Sequence, residues 1–214
     1  MGRSLADARR WVREGTMLAS RALAGLDDFT GDTALPGWSR AHLVGHLAAN
    51  AEAVGNLVHW AATGERTPMY SSPDQRAADI ERASQRSRDD LVDWFGSSAA
   101  TLDRAMDDLS EEQWRARVLT AQGRDVPASE TPWMRAREVM VHAVDLDAGV
   151  TFDDLPADFL NALVADVLVK RGVEADVVGS LAARAAYLTG RADGATAGVT
   201  ALDGSAAPDL PPWL

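Results

Sequence analysis

The apolar residues of the first 64 positions recur at helical intervals in two runs. The first run lies between residues 4 and 26 and places these residues near one face: Leu5, Ala8, Trp11, Val12, Met17, Leu18 and Ala22. The second run, RAHLVGHLAANAEAVGNLVHWAATG, follows Ser39 and closes at Gly64. Serine is a favoured N-cap and glycine a frequent helix end, so we predict helices over 4–26 and about 40–62.

Two further helical patterns follow before residue 150. Residues 75–109 combine charges of alternating sign with apolar residues at helical intervals, which predicts a third, long helix with a break at Gly96. SEEQW offers a local helix start, and RARVLTAQGRDVP is typical of an extended segment around a glycine turn. The run WMRAREVMVHAVDLDAG predicts a fourth helix over about 132–147.

The pattern changes after Gly149, where helical pieces alternate with a short strand or two and the chain closes on the proline-rich APDLPPWL. Proline cannot continue a helix or an interior strand. We therefore predict a mainly α fold, with residues 1–149 forming an up-and-down helical bundle and residues 150–214 a small α/β C-terminal domain.

Composition excludes several classes of function. The formal net charge of -11 is opposite to the basic surface that nucleic-acid binding needs. No apolar run is long enough to cross a bilayer, and the N-terminus lacks the apolar core of a signal peptide, so we expect a cytoplasmic protein without a membrane partner. Cysteine is absent, so disulfides and thiolate ligands are excluded and any thiol must come from a cosubstrate. Sequence motifs for nucleotide cofactors and serine hydrolases are also absent.

Polar residues interrupt the apolar faces of two predicted helices. In the fourth helix Glu138 and His142 lie four residues apart, with Asp145 three further on. The second helix carries the same kind of face, at His42, His46 and Asn50. Facing helices of a bundle build metal sites from such inward side chains, and imidazole and carboxylate suit zinc or another first-row divalent ion.

Spacing alone also permits structural interpretations of these residues. A single histidine on an apolar face is more often a hydrogen-bonded core residue than a ligand, and a Glu/His pair four apart is usually a local surface interaction. The chain has no H-E-x-x-H motif to favour a metalloprotease.

Two segments resemble the mycothiol-dependent maleylpyruvate isomerase family, a branch of the DinB-like metal-binding bundles found in actinobacteria. They are PGWSRAHLVGHLAANAEAVGNLVHWAATGERTPMYSSPDQRAADIE at residues 36–81 and RAREVMVHAVDL at residues 135–146. The resemblance implies a DinB-like four-helix bundle followed by a small α/β domain. It also implies a site for Zn²⁺ or another divalent metal, with His46, Glu138 and His142 as ligands.

The resemblance further implies mycothiol as thiol cosubstrate and a C-terminal arginine important for activity, for which Arg191 in YLTGR is the best match. His42 lies outside the family's ligand set, so we assign it a catalytic role through contact with a ligand or water. Asp145 is expected to orient a ligand at the catalytic site, and Asn50 to help position the cofactor.

The function implied by the resemblance is isomerisation of maleylpyruvate to fumarylpyruvate by reversible thiol addition, a step of aromatic catabolism. Its partners would be a small-molecule substrate and a low-molecular-weight thiol, with the protein a monomer or small homo-oligomer. Two alternatives stay open from the ligand set: a mycothiol S-transferase acting on another electrophile, and a metal- or ligand-binding bundle without catalysis.

Overall fold

The structure is a computed structural model that describes residues 3–171, 177–210 and 213. The chain divides into two compact units: Ser4–Gly149, and Val150–Leu214 together with the residues before Ser4. Across the described residues, every helix is too short or too polar to span a membrane.

The first unit is a helical bundle with a small hairpin. Its helices are α1 (Leu5–Ala24), α2 (Arg40–Thr63), α3 (Pro73–Ala83), α4 (Arg88–Asp107), α5 (Glu111–Arg115) and α6 (Thr131–Asp145). The four longest form the bundle, in which α1 packs on α6 while α2 packs on both α4 and α6. Strands β1 (Arg117–Leu119) and β2 (Asp125–Pro127) pair antiparallel around the glycine turn that the sequence predicts, and a 3-10 turn at Ala128–Glu130 leads into α6.

Serine residues start most of these helices. The side chain of Ser39 accepts a hydrogen bond from the backbone N–H of His42, and Ser4 does the same for Asp7. Each such cap is worth about 1 kcal/mol, because it satisfies a helix-end donor that has no partner within the helix. Gly64 closes α2 with a φ of 78°, a left-handed conformation that glycine adopts without strain. The predicted bounds of α1 and α2 are confirmed to within two residues.

The prediction of one long helix over residues 75–109 is wrong. The structure has two helices there, α3 and α4, with the break at residues 84–87 instead of Gly96. The Ser87 side chain accepts a hydrogen bond from Asp90 N–H and so begins a new helix. Gly96 lies inside α4, where a glycine costs only about 1 kcal/mol and does not end the helix.

The second unit is smaller and mixes helices with short strands. After a 3-10 turn at Phe152–Asp154 come α7 (Ala157–Arg171), β3 (Val177–Val178), α8 (Leu181–Leu188), α9 (Gly194–Ala197) and β4 (Thr200–Ala201). Helix α7 packs on α8, and β3 pairs antiparallel with β4. The predicted fold class, a mainly α protein with a four-helix bundle followed by a small α/β portion, is confirmed.

Candidate metal centre

Helices α2 and α6 bring one carboxylate and two imidazoles to a single point. His46 Nε2 on α2 lies 2.9 Å from Glu138 Oε2 on α6. His142 Nε2, one turn further along α6, lies 3.3 Å from the same oxygen. One potential ligand atom from each of the three residues lies within 4.8 Å of the others. The predicted ligand residues are therefore neighbours in space, although 92 positions separate His46 from Glu138.

The chemistry of this group fits a divalent metal ion. Ligand atoms around a four-coordinate zinc ion are about 3.3–3.6 Å apart, and the two distances to Glu138 Oε2, 2.9 and 3.3 Å, lie close to that range. Both imidazoles are buried, whereas 19% of the Glu138 side chain is exposed. Two neutral nitrogen donors and one carboxylate leave a coordination position for a further ligand, as catalytic zinc sites do.

Asp145 holds the His142 ring in the orientation that a ligand needs. Its Oδ2 lies 2.7 Å from His142 Nδ1, and the carboxylate is fully buried. A carboxylate on the far nitrogen of a ligand imidazole fixes the ring and leaves the other nitrogen to bind metal. His46 lacks such a carboxylate, because its Nδ1 faces Arg76 Nη2 at 3.3 Å. The indole of Trp38 packs edge-on against the His46 ring, with centroids 5.4 Å apart.

The environment shifts the pKa of each of the three residues. Burial opposes ionisation of Glu138, but hydrogen bonds from His142 and His46 outweigh it and hold the pKa of that carboxyl well below its usual range. Burial lowers the pKa of His46, and the contact with Glu138 reverses only part of this effect. Burial also acts on His142, where the bonds to Asp145 and Glu138 prevail and raise its pKa. Glu138 is therefore ionised and His46 neutral, the forms that bind metal.

The remaining predicted site residues have other surroundings. His42 lies in the first turn of α2, with Nδ1 2.7 Å from Ser39 Oγ and Nε2 3.3 Å from Glu81 Oε2. Asn50 is buried one turn beyond His46 and accepts a hydrogen bond from Arg135 Nη1 at 2.9 Å. Arg191 lies in the second unit, where its guanidinium donates to the backbone oxygens of Thr189 and Trp213. Their roles in catalysis and binding stay predictions.

A cavity of about 190 Å³ opens beside His46. Its wall comes from α2, α3 and the loop between them, and includes His46, Glu52, Asn56, Tyr70, Gln75 and Arg76. The Arg76 guanidinium lies over the Tyr70 ring at 5.6 Å from its centroid, and burial raises the pKa of the Tyr70 phenol. The cavity gives a small ligand a place beside one of the three potential metal ligands.

Sequence reasoning missed three residues of this region: Tyr70, Arg76 and Arg135. Arg135 lies three residues before Glu138 on α6, is fully buried, and donates from Nη1 to Leu47 O at 2.6 Å. Burial lowers the pKa of Arg135 to about 10. Extending the Glu138–His142 face back by one turn would have found it. Tyr70 and Arg76 carry no comparable signal, because one lies in a loop and the other on a charged, largely exposed helix.

The chain is similar to known proteins in both sequence and structure. The family model described as the mycothiol maleylpyruvate isomerase N-terminal domain matches residues 3–147. A crystal structure of the mycothiol-dependent maleylpyruvate isomerase is similar over 99% of this chain and 98% of its own, with 40% identity and a TM-score of 0.90. A histidine-to-alanine mutant of that isomerase gives 39% identity, the same coverage and the same TM-score. A search of curated proteins gives no match.

Proposed function

The chain belongs to the mycothiol-dependent maleylpyruvate isomerase family, and from this premise we propose that it converts maleylpyruvate to fumarylpyruvate with a divalent metal ion and mycothiol. The observation that carries the proposal is the 40% identity, over 99% of the chain, to a mycothiol-dependent maleylpyruvate isomerase. The cluster of His46, Glu138 and His142 supports it, because the residues offer the donor set of a catalytic metal site.

In the proposed mechanism, the three clustered residues hold the metal and Asp145 keeps the His142 ring in place. The ion when bound would favour the thiolate form of an incoming thiol, because a cation stabilises the anionic ligand. The two neutral imidazoles leave the loaded site with a net positive charge, which attracts the thiolate and the substrate's carboxylates. The two imidazoles are buried, which limits the access of water to them.

The proposed reaction is a reversible addition. The thiolate sulfur forms a bond to one carbon of the cis double bond, and the displaced electron pair moves onto the conjugated carbonyl. Rotation about the resulting single bond is followed by return of the pair, which expels the same thiolate and leaves the trans double bond. The steps balance without an oxidant or reductant. The protein contains no cysteine, so the cosubstrate supplies the nucleophile.

The other predicted residues have proposed roles in the same scheme. Arg191 would bind a substrate carboxylate, for which a planar guanidinium offers paired donors. His42 and Asn50 would help to position groups around the metal from their places on α2. We expect Arg191→Gln to lower kcat/KM with unchanged metal content, whereas equal kcat/KM in the variant and the wild type would remove Arg191 from the mechanism.

The proposed function is tested with the full chain, zinc, mycothiol and maleylpyruvate. We expect fumarylpyruvate to form only when metal and thiol are both present, and a chelator to abolish turnover. Full activity after metal removal, or turnover without thiol, would refute the proposal. Accumulation of a stable thioether in place of fumarylpyruvate would identify an S-transferase instead.

A further inference from the structure

Arg76 points its positive charge at a potential metal ligand. Its Nη2 lies 3.3 Å from His46 Nδ1, and its guanidinium lies over the Tyr70 ring at 5.6 Å from the centroid. The side chain is partly buried and lines the cavity beside His46. A guanidinium is an obligate donor, so in this arrangement His46 Nδ1 is an acceptor and carries no hydrogen.

Metal binding by His46 and the contact between Arg76 and His46 exclude each other. His46 Nε2 faces Glu138 and is the nitrogen placed to bind metal. A neutral imidazole that binds metal through Nε2 carries its hydrogen on Nδ1, and this N–H cannot accept from Arg76. The charges of the ion and the guanidinium also repel each other. A loaded site therefore leaves Arg76 in need of a different partner, and the adjoining cavity is where one can bind.

The charges around the site indicate the kind of partner. The buried or partly buried charged side chains at the site include Arg76 and Arg135 as cations and Glu138 and Asp145 as anions. A divalent ion adds two positive charges, and uncompensated charge in a buried site is costly. Anionic ligands would restore the balance.

Carboxylates at the rim of the cavity have partners of their own. Glu52 Oε1 accepts a hydrogen bond from Trp94 Nε1 at 2.6 Å. Asp79 Oδ1 accepts one from Gln75 Nε2 at 2.7 Å and pairs with Arg82. Glu52 is exposed and the Asp79 side chain is 45% exposed, so water screens both charges. An external anion is therefore the better partner for Arg76.

We propose that Arg76 binds a carboxylate of the substrate in the cavity beside the metal centre, and that metal binding frees Arg76 from His46 for this role. The identity of the ligand as a small carboxylic acid rests on the proposed function. The cavity, at about 190 Å³, is below the roughly 300–1,000 Å³ of pockets for drug-sized ligands, which suits a small acid. The Tyr70 ring helps to position the guanidinium, which lies over it.

The test measures binding of maleate, a simple dicarboxylate, by calorimetry without any thiol. Zinc-loaded wild-type protein should bind maleate at least about tenfold more tightly than metal-free protein. The variant Arg76→Gln should lose about 10- to 100-fold in maleate affinity, the range expected when a charge-assisted hydrogen bond is removed. Its zinc affinity should equal or exceed that of the wild type, because a competing positive charge is gone.

Arg66→Gln is the matched control. Arg66 is exposed and stacks on Trp60, so this variant removes the same charge from the same unit without touching the cavity wall. Its maleate and zinc affinities should match those of the wild type. Circular dichroism of both variants verifies that the fold is intact.

Three results would overturn the proposal: failure of the zinc-loaded wild type to bind maleate, equal maleate affinity in Arg76→Gln and the wild type, and loss of zinc from Arg76→Gln. The last would make Arg76 a structural support of His46. Failure of the isomerase assay is a separate result, because maleate binding that depends on zinc and Arg76 would still support the carboxylate site.

Discussion

Two regions of the bundle join helices through polar or charged side chains, one of them exposed to water and the other buried. On the face between α1 and α4, Arg13 lies 3.0 Å from both Asp103 and Asp107. These three side chains are 32–57% exposed. Between α2 and α6, His46 and Glu138 lie 2.9 Å apart with 5% and 19% of their side chains exposed. Similar distances therefore join oppositely charged groups in water and a carboxylate with a neutral imidazole in the core.

The two kinds of contact differ in their contribution to stability, and this indicates which of them has a function. Exposed ion pairs typically contribute about 0–1 kcal/mol, because water and salt screen them and ordering two long side chains costs entropy. A buried polar cluster costs desolvation free energy, and apolar residues of similar volume would often stabilise the fold as well or better. The α2–α6 cluster is therefore poorly explained by stability and well explained by a bound ion, whereas the α1–α4 pairs need no functional role.

The largest effect is expected for His46→Ala, because it removes one of the three proposed metal ligands. We expect zinc affinity to fall by more than about 100-fold, beyond the roughly 10–100-fold seen when only a supporting residue is changed. Competition with a chromophoric chelator measures it. His59→Ala, which alters an exposed histidine on the same helix, should bind zinc like the wild type. Retention of wild-type zinc affinity in His46→Ala would show that the ligand assignment is wrong.

A smaller loss is expected for Asp145→Asn, which keeps the volume of the buried carboxylate but removes its charge from His142 Nδ1. Zinc affinity should fall by about 10–100-fold. Asp147→Asn is the control, since Asp147 is exposed and its φ of 49° suits asparagine. Equal zinc affinities of Asp145→Asn and Asp147→Asn would mean that Asp145 does not orient a metal ligand.

Gly45→Ala tests how closely α3, the helix that carries Arg76, packs on α2. A Cβ at Gly45 would lie 2.6 Å from Ala83 Cβ, so the helices would have to separate. We expect a loss of about 1–3 kcal/mol in the free energy of unfolding, measured with denaturant. Gly55→Ala, on the same helix with open space around its Cβ position, should instead gain about 0.5–1 kcal/mol. If Gly45→Ala left the free energy of unfolding unchanged, the contact between α2 and α3 would be looser than in the structure.

The smallest effect is expected for the exposed ion pairs between α1 and α4. A double-mutant cycle of Arg13→Ala and Asp107→Ala should give a coupling free energy of about 0.2–1 kcal/mol, with zinc affinity unchanged. Denaturant unfolding at low and high salt measures the coupling and its screening. A coupling free energy above about 2 kcal/mol would mean that the exposed α1–α4 pairs stabilise the fold more than exposed ion pairs typically do.

Sequence patterns predict the parts of this molecule that depend on neighbours along the chain. The start of α2 follows from Ser39, and Glu138 and His142 share a face because they lie one helical turn apart. The break before α4 was missed because the helical periodicity of charge and apolar residues runs through residues 84–87, while the Ser87 cap decides the boundary.

The parts of the site that depend on packing between helices cannot be predicted from the spacing of residues along the chain. Arg76 meets His46 because α3 approaches α2 at Gly45 and Ala83, and no repeat in the sequence encodes that approach. The pairing of His46 with Glu138 likewise requires α2 and α6 to pack. It was predicted because the chain resembles a known family, and the two helical faces alone left structural interpretations open.

X-ray absorption spectroscopy of the zinc-loaded protein, compared with His142→Ala, tests directly whether α2 and α6 bind one metal ion together. We predict a zinc ion bound by two imidazoles at about 2.0–2.1 Å together with oxygen ligands in the wild type, and one imidazole fewer in the variant. A zinc environment with no imidazole, or one that His142→Ala leaves unchanged, would contradict a metal site built from α2 and α6.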